Sequence, residues 1–329
     1  MDLSSALAER VDAVFADMDK PQHPGDALLV IDHDEIVYSK CYGLADLETQ
    51  RPITTDTSFY LASISKQLTA MAIMLLAEQG KLGFEDRLLA YSPRFPSWGA
   101  KITLRHMLHH TSGLTHYMQF FSSSEEVSEF TRDITGVTNE AVLVRAMGLA
   151  GPEFPVGAKY AYGGTGYTLL AMIVAIVSGQ SFADFLKANV FDPLGMKHTV
   201  VYDASRPARH KLAHAYWEEK DQFERWGYPL LTAGDGGLFS AVDDLFLWDQ
   251  ALNTERLIPW AALERAFTSG TTNDGTPVNY GFGWISPRHR PAPRRPQNAQ
   301  GGETRLSSCS VVNVGSADRT GGHRALSHC

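Results

Sequence analysis

The sequence of 329 residues has few cysteines and fewer basic than acidic residues, and each of these shortages argues against a class of protein. Its three cysteines, Cys41, Cys309 and Cys329, are widely spaced and form no CxxC pair, so we expect neither a disulfide framework nor a zinc ribbon. Basic residues are the minority: 29 Lys and Arg against 37 Asp and Glu give a net charge of -8. This balance disfavours a nucleic-acid partner.

The sequence also lacks the features of membrane and secretory segments. No stretch reaches about 18 uninterrupted apolar residues, so we expect no membrane span. The first 20 residues carry five acids and no basic start followed by an apolar run, so they do not resemble a signal peptide. Their apolar side chains recur at helical spacing, which predicts an amphipathic helix. We therefore expect a cytoplasmic protein, or a periplasmic or secreted one if the N-terminus is incomplete.

Periodicity along the chain predicts strands, then a long helical region, then strands again. Two β-prone runs, 27–31 and 36–41, flank a short polar turn and predict a hairpin. From Ser65 the chain changes to helical spacing and is apolar around much of its circumference, which predicts a central buried helix. Ser240 and Asp243 predict a capping box for a helix over 241–252. Residues 280–285 return to strand-like character.

Residues 287–329 form a tail that differs from the rest. They contain seven Arg, no Lys and two acids, a net charge of +5, and no Phe, Trp or Tyr. Apart from the strand-like run 310–314 they show no sustained period. We interpret them as an anomalous basic tail, either disordered or translated out of frame. Residues 1–286 are predicted to form one catalytic unit, with a sheet region from about 1–60 plus 226–286 and a helical region over about 61–225.

Ser63 and Lys66 form an S-x-x-K at the start of the predicted buried helix. Spacing of i, i+3 places both side chains on one face of a helix. A serine hydroxyl is a poor nucleophile at neutral pH and needs an adjacent base. A lysine can supply it where burial and neighbouring positive charge disfavour the ammonium form. The pair therefore indicates nucleophilic acyl transfer, although S-x-x-K alone is a weak signal, and a serine N-cap followed by a solvated lysine is the alternative.

The flanking sequence strengthens this interpretation. The segments Phe59–Ala70, Ile102–Leu114, Tyr162–Tyr167, Phe191–Met196 and Ala233–Ser240 follow one another in an order that resembles the serine β-lactamase and penicillin-binding-protein family. The resemblance covers about residues 10–286 and is nearest to the branch with class C β-lactamases, D-alanyl-D-alanine carboxypeptidases and family VIII esterases. It implies an α/β (α+β) fold of the β-lactamase/transpeptidase-like type, an antiparallel sheet flanked by helices with an inserted mainly helical region.

The resemblance also implies a set of site residues. Ser63 matches the nucleophile, Lys66 its proton acceptor, and Tyr162 the tyrosine of the second motif, Y-x-N. Gly164 stands at the substrate-binding position where the family has asparagine, which makes strong recognition of β-lactam or peptide amides less expected. The third motif, K-T-G or H-x-G, should follow residues 280–285. The nearest string is Arg319–His323, inside the anomalous tail.

We therefore expect a serine hydrolase acting through an acyl-enzyme on a small ester or amide, with esters favoured. A β-lactamase or D,D-carboxypeptidase is the first alternative, and a catalytically impaired relative, a scaffold or a damaged gene product, is the second. The expected partner is a small-molecule ester, amide or β-lactam substrate, with no cofactor and no metal. His106, His109 and His110 suggest a metal only weakly, because no acid lies close by, and packing or capping is the favoured interpretation. The sequence does not indicate an oligomeric state.

Overall fold

The computed structural model describes residues 5–121, 137–202, 211–219, 222–226, 232–285, 310–314 and 327–328. The predicted hairpin forms from β1 (Ala27–Asp32) and β2 (Glu35–Cys41), which pair antiparallel. On the other side of β1 lies β10 (Ser310–Val314), in a register that places Ala27 opposite Val314. The short β11 (Ser327–His328) pairs with β10. The prediction of an antiparallel sheet is confirmed, but the C-terminal strands of this sheet come from the tail, at 310–314 and 327–328, and not from residues 226–286.

The sheet is covered on both faces, and alternation along β1 shows how. Leu29 and Ile31 belong to the main hydrophobic core, whereas Leu28 lies in a separate cluster with Phe15 and Tyr42 beside the N-terminal helix. Successive side chains of a strand point to opposite faces, so a strand with apolar residues at every position needs cover on both. The amphipathic helix at the N-terminus supplies one cover and the body of the protein the other.

The helix Val242–Leu252 packs against β1 and β10 of this sheet. Among the described residues the helices are α1 (Ser5–Val14), α2 (Ser65–Glu78), α3 (Leu88–Tyr91), α4 (Leu104–Leu108), α5 (Asn139–Met147), α6 (Thr165–Ser178), α7 (Phe182–Leu186), α8 (Asp192–Leu194), α9 (Val242–Leu252) and α10 (Trp260–Phe267). As predicted, α2 is central: every residue from Ser65 to Leu76 is buried. It packs against α6, which is also almost entirely apolar.

The remaining strands form three small antiparallel groups. They are β3 (Leu44–Asp46) with β4 (Arg51–Pro52), β7 (Ala215–Glu219) with β8 (Gln222–Trp226), and a three-stranded sheet in the order β5 (Phe59–Tyr60), β9 (Leu238–Ser240), β6 (Val200–Val201). The last of these sheets positions the start of α2. After β5, the amide of Leu61 donates to the carbonyl of Leu238 at 2.8 Å, and the chain then turns into the central helix.

Two local predictions differ from the structure. The capping box at α9 is wrong: Ala241 is the N-cap, and no side chain caps the helix. The Asp243 carboxylate instead accepts from Thr55 at 2.7 Å, and the Ser240 hydroxyl bonds with Thr199. Tertiary partners therefore outcompete the local cap. Residues 280–285 form a tight turn closed by a single bridge between Tyr280 and Ile285 rather than a strand.

The predicted domain division stays a prediction. Strands β6, β7 and most of β8 lie within the region 61–225 that was predicted to be mainly helical. In the tail, the strand-like run 310–314 does form a strand, and it joins the main sheet. The rest of the tail, including the string 319–323, lies outside the described residues apart from the short β11. The interpretation of the tail as disordered or out of frame stays a prediction.

No single helix in the described part of the chain is long and apolar enough to cross a bilayer. One bent pair, Thr165–Ser178 with Phe182–Leu194, reaches the required length and composition only when its two parts are counted together.

Candidate active site

Ser63 lies in the turn that links the small sheet to the central helix. A single turn of 3-10 helix, Ala62–Ile64, leads directly into α2. Ala62 has a φ of +44°, in the left-handed region that side chains disfavour. Such strained residues cluster at active sites, where surrounding structure holds them in place. The turn leaves Ser63 exposed while the residues that follow it are buried.

Lys66 is buried directly beneath Ser63, as the i, i+3 spacing predicts. The residue is only 2% exposed. Its Nζ lies 3.1 Å from Ser63 Oγ and donates to the main-chain carbonyl of Asp235 at 2.9 Å. Nζ also lies 5.0 Å from the ring centroid of Tyr162 and 5.8 Å from that of Tyr167. The structure thus brings the three predicted residues Ser63, Lys66 and Tyr162 together.

Tyr162 faces solvent on one side and His110 on the other. It is 44% exposed, so the side chain is accessible to solvent. The imidazole of His110 lies 4.5 Å from the Tyr162 ring, and its Nδ1 accepts from the amide of Gly163 at 3.3 Å. Burial, with the charge of Lys66 as a second cause, holds the pKa of His110 well below its usual value. His110 is therefore a neutral ring that supports the tyrosine from behind.

Gly164, the fourth predicted residue, is buried at the N-terminus of α6 and has almost no room for a side chain. A Cβ at this position would lie 2.3 Å from Cε1 of Tyr117 and 2.4 Å from Oδ2 of Asp235. Contacts this short do not occur between a Cβ and non-bonded atoms. An asparagine could therefore not be placed here without moving both neighbours. Tyr117 and Asp235 thus occupy the space that an asparagine side chain at position 164 would need.

Asp235 is a buried carboxylate held by three hydroxyl groups. Tyr117 donates to Oδ2 at 2.7 Å, while Thr232 and Thr168 donate to Oδ1 at 2.8 and 3.1 Å. Asp235 is 6% exposed and Tyr117 fully buried. Burial and the charge of Asp235 raise the pKa of Tyr117 well above its usual value, so its phenol stays protonated and donates.

The tight turn 234–237 connects this carboxylate to the central helix. Gly234 has a φ of +111° and Gly237 a φ of +79°, conformations that favour glycine. Thr69 donates to the carbonyl of Gly234 at 2.7 Å, one helical turn beyond the bond from Lys66 to Asp235. The turn thus presents two carbonyl acceptors to α2, an arrangement opposite to the amide donors of a phosphate-binding loop.

The other histidines of the 102–114 segment have structural partners. His106 forms a capping box with Thr103 at the start of α4. Nδ1 of His109 lies 2.9 Å from the carbonyl of Tyr280, and burial lowers its pKa to about 4. The favoured interpretation of packing and capping is therefore confirmed for both. Within the described ranges no group of three or more His, Cys, Asp or Glu side chains is placed to hold a metal.

Sequence reasoning missed the contributions of Tyr117, Asp235 and His110. Asp235 lies in the segment Ala233–Ser240, to which the sequence assigns no catalytic role, and His110 is interpreted from the sequence as packing or capping. No local pattern marks Tyr117, because its contact with Asp235 joins residues 118 positions apart. A glycine in place of a polar motif residue is the one signal that could have prompted a search for a compensating side chain.

Comparison with known proteins gives concordant results. The beta-lactamase family profile matches residues 11–318. Penicillin-binding protein 4* of Bacillus subtilis (strain 168) is 36% identical over 273 residues, which cover 78% of this chain and 58% of that protein. Esterase EstB of Burkholderia gladioli is 26% identical over 327 residues, covering 86% of this chain and 80% of the esterase. The chain thus spans less than two thirds of the length of the first of these relatives.

Solved structures agree with the sequence relatives. The octameric penicillin-binding protein homologue from Pyrococcus abyssi superposes with a TM-score of 0.64 at 26% identity, covering 84% of this chain and 64% of that one. The fold is therefore of the β-lactamase/transpeptidase-like type that the motifs imply. The profile match over most of the chain, together with these relatives, shows that the chain belongs to the beta-lactamase family of serine hydrolases.

Proposed function

We propose that this protein hydrolyses small esters through an acyl-enzyme on Ser63. The observation that carries the proposal is the contact of 3.1 Å between Ser63 Oγ and Nζ of the buried Lys66, with the ring centroid of Tyr162 5.0 Å from the same Nζ. A nucleophile within hydrogen-bond distance of a base that is itself held by a third group is the geometry of covalent catalysis. Here the carbonyl of Asp235 is that third group.

The proposed reaction has two steps. In the first, Ser63 Oγ attacks the ester carbonyl carbon, its proton passes to Nζ of Lys66, and the alcohol leaves after receiving a proton through Lys66 and Tyr162. The acyl group is then joined to Ser63 as an ester. In the second, water attacks the same carbon, the acid is released and the proton returns to Ser63. Tyr162 is placed for proton transfer because it is accessible and its ring lies 5.0 Å from Nζ.

Esters are favoured over amides because of what surrounds Gly164. The resemblance implies an asparagine amide here that contacts substrate, and in this chain Tyr117 and Asp235 fill the space instead. A site built to hydrogen-bond a polar group of its substrate discriminates strongly, and removing the bonding group removes that discrimination. Esters also have a better leaving group than amides and depend less on such help. The similarity to esterase EstB supports the same preference.

The test is intact mass spectrometry and steady-state kinetics on wild type and Ser63→Ala. We expect a fluorophosphonate to add once to wild type and not to Ser63→Ala, and short p-nitrophenyl esters to be hydrolysed only by wild type. Ser65→Ala is the matched control, since Ser65 lies two residues away with its hydroxyl buried and unbonded among the described residues. It should label and turn over like wild type. Equal ester turnover by Ser63→Ala would disprove the proposal.

A β-lactamase or D,D-carboxypeptidase is the second candidate, favoured by the 36% identity to penicillin-binding protein 4*. Incubation with a penicillin in the same experiment distinguishes the two. A stable or slowly released penicilloyl adduct on Ser63 that forms faster than the phosphonyl adduct would support this candidate. A folded chain that takes up neither reagent would instead identify a non-catalytic relative.

A further inference from the structure

We infer that Asp235, held by Tyr117, is a positioning residue for Lys66, and that this pair occupies the space of the side chain that position 164 lacks. The inference rests on the proposed function and extends it to two residues outside the three motifs. On this inference, the side chains of Tyr117 and Asp235 replace, in space, the side chain that is missing at Gly164, an arrangement we call the exchange.

The first support is steric. The direction of a Cβ at Gly164 leads into the edge of the Tyr117 ring and into Oδ2 of Asp235, at 2.3 and 2.4 Å. The two side chains therefore stand where a longer residue at 164 would have to lie. An interior filled to this density does not admit a second polar side chain. The glycine at position 164 and the Tyr117–Asp235 pair thus depend on each other, because a side chain at 164 and the pair would need the same space.

The second support is the connection to the lysine. The main-chain carbonyl of Asp235 accepts from Lys66 Nζ, so the position of this one residue fixes where Nζ lies relative to Ser63. The side chain of Asp235 in turn is fixed by hydroxyls from three separate segments, through Tyr117, Thr168 and Thr232. Hydrogen bonds to an ionised acceptor are roughly twice as strong as neutral ones, which makes this a firm anchor.

The third support is the burial of the carboxylate among protein hydroxyl groups. Asp235 is 6% exposed and its donors Tyr117, Thr168 and Thr232 are at or near complete burial, so substrate does not reach it. A buried carboxylate costs free energy unless it is fully hydrogen-bonded. Its three donors meet that cost, and its main-chain carbonyl is the part that faces the reacting groups.

The experiment compares Asp235→Asn and Tyr117→Phe with wild type in pre-steady-state acylation by p-nitrophenyl acetate. An amide keeps one acceptor oxygen but replaces the other with an NH2 group that cannot accept, so Asp235→Asn should fold while losing part of the hydrogen bonding that holds the side chain. We expect its acylation rate constant at saturating ester to fall about 10²-fold, the effect of a small misplacement of a catalytic group, with the ester dissociation constant unchanged. Tyr117→Phe should lower the same rate constant about tenfold, and the double variant no further than Asp235→Asn, because both act through one bond.

Asp244→Asn is the matched control. Asp244 is a second buried carboxylate, 2% exposed, that accepts from Thr199 Oγ1 at 2.6 Å and from the amide of His198 at 2.7 Å. It has no bond to Lys66 or Ser63 in the described part of the chain. Its loss should lower the melting temperature as much as the loss of Asp235 and change acylation by less than about twofold, as expected of independent sites.

Two results would overturn the inference: acylation of Asp235→Asn at the wild-type rate, or equal loss of acylation in Asp244→Asn, which would show that rate merely follows stability. Crystal structures of the variants provide a readout independent of activity, since Nζ of Lys66 should move away from Ser63 Oγ in Asp235→Asn and not in Asp244→Asn. Failure of wild type to acylate at all would refute the proposed function itself, and is distinguished from the other outcomes by the fluorophosphonate test on Ser63.

Discussion

The two sides of the candidate active site are built in different ways. On one side, Ser63 and Lys66 lie three residues apart, Ser63 in the 3-10 turn Ala62–Ile64 and Lys66 in the first turn of α2 that follows it. On the other side, Tyr162 and Gly164 depend on His110, Tyr117 and Asp235, which lie 45 or more residues away in the sequence. The comparison teaches that the nucleophile pair is a local motif, whereas the second motif is completed by tertiary contacts, so a substitution in it can be compensated elsewhere.

The largest expected effect comes from breaking the local side. Lys66→Met keeps the length and apolar packing of the side chain but removes the amine beside Ser63 Oγ. We expect kcat for p-nitrophenyl acetate to fall by at least about 10³-fold, because the nucleophile loses its base. The melting temperature should be maintained, since a buried charge is replaced by an apolar group. Lys81→Met, at an exposed position after the same helix, is the control and should be as active as wild type.

Breaking the other side at its functional group should cost less. Tyr162→Phe retains the ring contact with His110 and removes only the hydroxyl. We expect kcat to fall about 10²-fold, within the usual range for loss of one proton-transfer group. Tyr160→Phe tests the specificity of the effect, because Tyr160 is similarly exposed, at 38%, and also contacts His110. Equal losses in the two variants would contradict the assignment of Tyr162.

The steric part of the exchange can be tested without any assay of activity. Gly164→Ala adds one methyl group at a position where Tyr117 and Asp235 leave no room, so overpacking should destabilise the fold by about 1–3 kcal/mol. The measurement is urea unfolding followed by fluorescence. Gly151→Ala is the control, since a Cβ there would meet no atom within 4 Å, and its effect should stay within about 0.5 kcal/mol. A neutral Gly164→Ala would show that the two neighbours move freely.

The smallest effect that we expect is a pH dependence of the free energy of unfolding that arises from His109. Burial lowers the pKa of His109 to about 4, below the value of about 6.5 in the unfolded chain. Between these values the unfolded state binds more protons, so stability is fully present above pH 6.5 and is lost as the pH falls towards 4. We expect His109 to contribute a loss of about 1–2 kcal/mol between pH 7.5 and pH 5. His109→Asn, which can still donate to the Tyr280 carbonyl, should flatten the dependence by that amount in urea unfolding, and an unchanged slope would contradict it.

The sequence by itself determined the parts of this protein that depend on short-range order. Helical spacing identified α2 as buried, alternation and turn residues identified the β1–β2 hairpin, and S-x-x-K placed Ser63 and Lys66 on one face. These predictions hold because a helix fixes the relation of residues three or four apart whatever surrounds it. The order of the motifs then indicated the fold and the position of Tyr162.

Only the tertiary structure decided how the second side of the site is completed. The capping box at Ser240 and Asp243 failed because both side chains found distant partners, Thr199 and Thr55, that no local pattern announces. The pairing of Asp235 with Tyr117, and the resulting lack of room at Gly164, arises in the same way. These contacts join residues 41 to 188 positions apart and are set by how helices and turns pack, and packing follows from the whole core rather than from any segment of it.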